Sequence, residues 1–205
     1  MSNENKLEIV ATLKEGVGIG VKNIGPILVN LVLWVLTAWI PYLNVGTTIG
    51  LMIGVVSKAS KGEAIPFTEI FDPKYRKYMG EFFLVSGLVG VGVGIGMVFA
   101  VIPGIVIGLA WCFAPLLVID KGKNPMEAIT LSNNLTYGNK GRMFGTFFIA
   151  AFAFGIVTSI LAGIAGKTGS AGFIFLFIAA LVVIFEIFVF IGIQASLYKR
   201  FAGNI

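Results

Sequence analysis

Glu186 is the residue whose type and position most invite a chemical reading. It sits in the run "VVIFEIFVF" and is the only charged-type side chain between Lys167 and Lys199. An acid at the centre of an apolar span costs about 2.5–3.5 kcal/mol on insertion scales, so it must face protein or water. Counting about 1.5 Å per residue from the basic end puts Trp34, Thr37, Thr158 and Ser159 at a comparable depth. Two readings stand. A protonated Glu186 hydrogen-bonds one of these groups, or Glu186 is an intramembrane relay or ion site to which they contribute.

Other chemistry finds little support. The chain contains no histidine, which removes His-assisted nucleophiles and histidine metal sites. The acids Glu63, Glu69, Asp72, Glu81, Asp120 and Glu127 are outnumbered by adjacent bases and lack metal-ligand spacing. No catalytic, metal or cofactor-binding residue is assigned, and no cofactor is expected. The expected function is therefore non-enzymatic: transport or permeation of an ion or small amphiphile. The alternatives are a membrane-organising protein that binds lipid or a partner without transport, and a lipid-headgroup enzyme.

The elements that must hold Glu186 follow from composition. Of 205 residues, 57% are hydrophobic and 12% charged, and the mean hydropathy is +0.95. No charged residue lies between Lys22 and Lys58, between Glu81 and Asp120, or between Arg142 and Lys167. Runs of this length can cross a bilayer as helices of about 20 residues. The fold class is all-α, a polytopic helical membrane protein. "IPYLN" and "IPG" break the first two runs, because proline interrupts a helix. Six spans result, near 24–40, 45–57, 82–102, 104–119, 143–165 and 172–197, in three hairpins. Residues 1–23 form an N-terminal amphipathic segment ahead of a single transmembrane domain, 24–205. Its expected apolar side is Leu7, Val10, Ala11, Lys14 and Val17.

Charge sets the orientation. Fourteen of the 15 Lys and Arg residues fall on one side of this threading, and Lys167 alone falls on the other. The positive-inside rule then puts both termini in the cytoplasm, in the cell membrane. The formal net charge of +5 fits anionic lipid at the cytoplasmic face rather than nucleic acid, because the basic residues flank apolar spans. "MSNENKLEIV" has no apolar core of a signal peptide.

Short interfacial helices are expected near 64–80 and 124–138. In the second, Asn124 caps, Pro125 opens the helix, Glu127 stands at its third position, and Gly138–Asn139 ends it. Both polar loops follow an outer Ile-Pro turn and an Ile-Gly-Leu motif, so the two halves echo each other. In the third span, "SGLVGVGVGIG" places Gly90 and Gly94 on one face and Gly92 and Gly96 nearly opposite. Small residues on both faces predict a helix packed between neighbours. Such faces also pack between chains, so a homo-oligomer is compatible.

The stretch "FAPLLVIDKGKNPMEAITLSNNLTYGN" resembles the motif of a group of uncharacterised bacterial polytopic membrane proteins. That group includes the membrane domain of some glycerophosphodiester phosphodiesterases. The matching positions are Pro115, Asp120, Ala128, Ile129, Ser132, Gly138 and Asn139. The resemblance implies a polytopic fold and brings no catalytic residue. The phosphodiesterase domain itself has no counterpart here.

The threading has a direct check. Reporter fusions after Lys61, Lys123 and Ile205 should all read as cytoplasmic, and a fusion at Asn44 that also does so would break the six-span arrangement.

Overall fold

A computed structural model describes residues 6–169 and 172–205. All regular structure among them is helical. In chain order the helices are α1 (Ile9–Lys22), α2 (Ile24–Thr37), α3 (Pro41–Ile49), α4 (Val55–Lys61) and α5 (Lys74–Lys77). They continue as α6 (Met79–Phe99), α7 (Val101–Trp111), α8 (Ala114–Lys121), α9 (Pro125–Thr136), α10 (Lys140–Ala165) and α11 (Gly172–Ala202). A π-helical turn, Gly50–Gly54, joins α3 to α4.

Four helices are long and apolar enough to cross a membrane: α6, the Val101–Lys121 unit made by α7 and α8, α10, and α11. A fifth exists if α1 and α2, bent by 69° at their junction, form one span. α2 alone has 14 residues, or about 21 Å, short of the ~30 Å hydrocarbon core. The long helices expose most of their apolar surface, as lipid-facing helices do: Val98, Phe99, Phe152 and Phe177 are all exposed.

α1 departs from its expected role. It lies antiparallel along α11, with Glu15 beside Ser196, Gly16 against Ile193 and Gly20 against Phe188. Its buried face is Thr12, Gly16 and Gly20, whereas Val10 and Val17 point outward. The amphipathic count misjudged the face because glycine scores as neither apolar nor polar. A Cβ added at Gly16 would come within 2.8 Å of the Ile193 Cα, and one at Gly192 would strike the Gly16 carbonyl. This close backbone approach replaces the large apolar side chains that the pattern favoured.

The glycines of α6 are used on one face only. Gly92 sits against the Trp111 ring and Gly96 against the Gly104 backbone, whereas Gly90 and Gly94 are exposed and a Cβ there would meet nothing within 4 Å. The expectation that α6 packs on both faces is corrected accordingly. Gly90 and Gly94 lie on an exposed face of α6.

The two polar loops also part company. α9 forms as expected: Asn124 Oδ1 accepts from the Met126 N–H at 3.0 Å, and Gly138, at φ +78°, ends the region. Near 64–80 there is no single helix. A 3₁₀ turn, Glu69–Phe71, and the four-residue α5 are separated by Asp72–Pro73. Proline disfavours helical geometry at the preceding residue, and Asp72 accordingly has ψ 122°.

Two substitutions separate the glycine contacts. Gly192→Leu should lower the melting temperature strongly, with an overpacking cost on the order of 3 kcal/mol. Gly94→Ala should leave it unchanged or raise it slightly, by up to about 1 kcal/mol from helix propensity. Thermal denaturation of both variants in one detergent distinguishes them.

Candidate functional site

Glu186 lies at the middle of α11, fourteen residues after Gly172 and sixteen before Ala202. It lines a groove of about 500 Å³ with Phe147, Val183, Ile187, Phe190, Ile191 and Gln194. Helical spacing puts Val183, Glu186, Ile187, Phe190 and Gln194 on one stripe. Phe147 of α10 stacks on Phe190 with ring centroids 6.0 Å apart, which fixes the aromatic wall. The carboxyl is half-buried and makes no hydrogen bond or ion pair among the described residues. The groove thus offers two polar ends, Glu186 and Gln194, in an otherwise apolar lining.

None of the expected depth-mates reaches it. Trp34 Nε1 donates to Thr48 Oγ1 at 2.9 Å. Thr37 and Thr158 donate to carbonyls of their own helices, at Leu33 and Phe154. Ser159 is exposed. Depth counting treated α2 as a straight span beside α11. The 69° bend and the pairing of Trp34 with Thr48 of α3 remove that geometry. A cation does approach the same level: Lys22 follows Gly20, which abuts Phe188, by two residues. No ion pair joins Lys22 to Glu186 among the described residues.

Apart from Lys22 and Lys167, the remaining charged side chains gather at the basic end. Asp120, with its side chain 7% exposed, accepts from Ser57 Oγ at 2.5 Å and Tyr198 Oη at 3.0 Å, and pairs with Lys61 at 2.5 Å. One carboxylate therefore joins α4, α8 and α11. Glu69, 2% exposed, pairs with Lys58 at 2.7 Å and accepts from the Tyr75 hydroxyl. Burial and then the Glu69 carboxylate push the Tyr75 hydroxyl far above the usual phenol range, so it stays a donor. Burial would raise Asp72, but hydrogen bonds from the Lys74 backbone and side chain outweigh it and hold Asp72 below the usual carboxylate range. Glu15 binds Ser196, Lys199 and Arg200, clamping α1 to the end of α11.

Several residues of the stretch shared with the polytopic group make bonds within the fold. Ser132 Oγ donates to the Ala110 carbonyl at 2.7 Å and accepts from the Phe113 N–H at 3.2 Å. Those groups are freed where α7 gives way to α8, a break enforced by Pro115, which has no N–H to donate. Asn139 Oδ1 accepts from the Leu7 N–H at 2.9 Å. Glu127 pairs with Lys123 on the surface. Sequence reasoning ranked Ser132 as an interfacial motif residue. Its position one turn before Thr136, which also reaches Ala110, is a signal only once the broken helix is known.

These contacts predict the cost of losing them. Asp120→Ala should destabilise by about 1–3 kcal/mol, the penalty for leaving the buried Ser57 and Tyr198 hydroxyls without an acceptor. Lys61 can turn to water, so the larger cost of an isolated buried cation does not arise. Ser132→Ala should cost a similar amount and Thr130→Ala, on the exposed face of α9, close to nothing. Denaturation midpoints decide this.

No family model matches this chain, and neither a curated protein nor a solved structure matches it.

Proposed function

We propose that this protein is a non-enzymatic integral membrane protein that binds a small amphiphile or cation in the groove at Glu186 and lets it cross the bilayer. The carrying observation is the half-buried Glu186 carboxyl, without a partner among the described residues, in an apolar groove at the middle of α11. A group that served only to complete an internal hydrogen bond would have its partner within reach. An acid held at that depth without one is matched instead to a ligand that brings a positive charge or a donor. The aromatic wall and the Gln194 amide suit a body with an apolar part and a second polar group. Lys22, at a similar level on α1, adds a second ionisable group near mid-depth.

In this reading the basic end faces the cytoplasm and carries both termini, in the cell membrane. The arrangement has six crossings in which the bent α1–α2 pair and the 41–61 unit form the first two, shielded by the loop that follows them. The motif shared with the polytopic group is read as a fold signature. The charged clusters at Asp120, Glu69 and Glu15 hold the bundle and contact anionic lipid, which is the second reading of the protein's role.

Purified protein in liposomes tests the assignment. Wild-type vesicles should pass a monovalent cation or a fluorescent amphiphilic amine, and Glu186→Gln should fold normally yet reduce that flux by at least about tenfold. Equal flux in both proteins would defeat the Glu186 site, and no flux in the wild type would favour the lipid-organising role.

A further inference from the structure

Two cavities open at the basic end, and their charge balance differs. The one beside Asp120 is lined by Lys58, Lys61 and Lys74, but each of these lysines already pairs with Asp120, Glu69 or Asp72. The other, about 520 Å³, is lined by Lys6, Asn134, Tyr137, Asn139, Arg200 and Phe201, with Leu7 and Leu135 behind them and no carboxylate in the lining.

Arg200 is oriented by its partner, and the backbone next to Lys6 is anchored. The Leu7 N–H donates to Asn139 Oδ1 at 2.9 Å, and Arg142 Nη1 donates to the Leu7 carbonyl at 2.8 Å. This pair of backbone-to-side-chain hydrogen bonds straps Leu7 onto the start of α10. Lys6, exposed, has no ion pair among the described residues. Arg200 gives its Nε and Nη2 to Glu15, at 3.3 and 3.2 Å. A guanidinium has five N–H donors in a rigid fork, so this pairing orients it and leaves donors for the cavity. Lys140, next in the chain to Asn139, is bonded to Asn133 and lies 6.0 Å from the centre of the Tyr137 ring. The acids in the neighbourhood are Glu15, already shared by Lys199 and Arg200, and the exposed Glu8.

We propose that this cavity is a binding site for a phosphate-bearing anion, either the headgroup of a phospholipid or a soluble phosphate. Oxyanions take charge-assisted hydrogen bonds from guanidinium and ammonium groups, and the Asn134 amide and Tyr137 hydroxyl add neutral donors. Phe201 and Leu135 supply an apolar floor where the headgroup meets its chains. The site lies where α10 starts and α11 ends, which is the level of lipid headgroups for helices that cross a bilayer. It does not depend on the Glu186 reading, and Glu186→Gln should leave it intact.

The test uses the full chain in a neutral detergent, with melting temperature and binding isotherms as readouts. The probes are dihexanoyl phosphatidylglycerol, dihexanoyl phosphatidylcholine and inorganic phosphate. Phosphatidylglycerol should stabilise the wild type, and Lys6→Gln with Arg200→Gln should weaken its binding by at least about tenfold. Lys6→Gln alone, which touches no structural contact, should weaken it several-fold. A control with Lys77→Gln and Lys123→Gln, removing equal charge elsewhere, should bind like the wild type. If inorganic phosphate is bound and lost in parallel, the phosphate group is sufficient. If only phosphatidylglycerol is, the lipid is the source. Binding that survives the Lys6/Arg200 pair, binding that falls equally in the control, phosphatidylcholine that binds as tightly, or no binding of either anion overturns the proposal.

Discussion

Asp120 is the constraint from which the charged end is organised. Its carboxylate is nearly sealed from water, and a buried charge is stable only with partners in place. Those partners come from α4 and α11, which lie far from α8 in the chain, so satisfying one residue fixes the relative placement of three helices. Glu69 and Glu15 repeat the device for the 62–78 loop and for α1. Bilayer-exposed helices gain little from apolar contact with one another, because lipid competes equally well for that surface. Polar bonds and close backbone packing must then specify the arrangement. The polar bonds are concentrated in the half of the molecule that holds the basic residues, whereas close backbone packing also occurs at the opposite turn, where Gly96 meets Gly104.

The break between α7 and α8 shows the same economy of polar groups at smaller scale. A helix interrupted near the membrane leaves backbone groups that water cannot reach. Ser132 satisfies both a donor and an acceptor there, and Thr136 backs it on the acceptor. α9 is thus a plug for a broken span as well as an interfacial element. That explains why an otherwise surface-like helix buries Ala128, Ser132 and Thr136.

Much of this was legible in the residues. The uncharged runs locate α6, α7–α8, α10 and α11, and the cap, proline and glycine signals delimit α9 closely. These features are local: each depends on hydropathy or on a backbone preference within a few residues. What escaped the reading depends on pairing at a distance. The Gly16–Gly20 face of α1 looks no different in sequence from the Gly90–Gly94 face of α6, yet one meets α11 and the other meets nothing. The depth estimate for Trp34 and Thr37 failed because a bend at Asn23 redirects α2. At the candidate site, Glu186 itself stood out by chemistry, whereas Gln194 and Phe147 emerge only when α10 is laid beside α11.

The clamp between α1 and α11 has a consequence for how the protein is made. Glu15 and Ser196 are separated by 181 positions, so α1 meets its partner only after all the intervening spans have been synthesised. Until then α1 presents a bare strip of backbone at Gly16 and Gly20 and an acid with no cation to meet it. Contacts of such long separation close late and slowly. The spans in between precede α11 in synthesis, which makes the union of α1 with α11 a late latching step. A ribosome-bound chain that has not yet made α11 would be threaded but not locked.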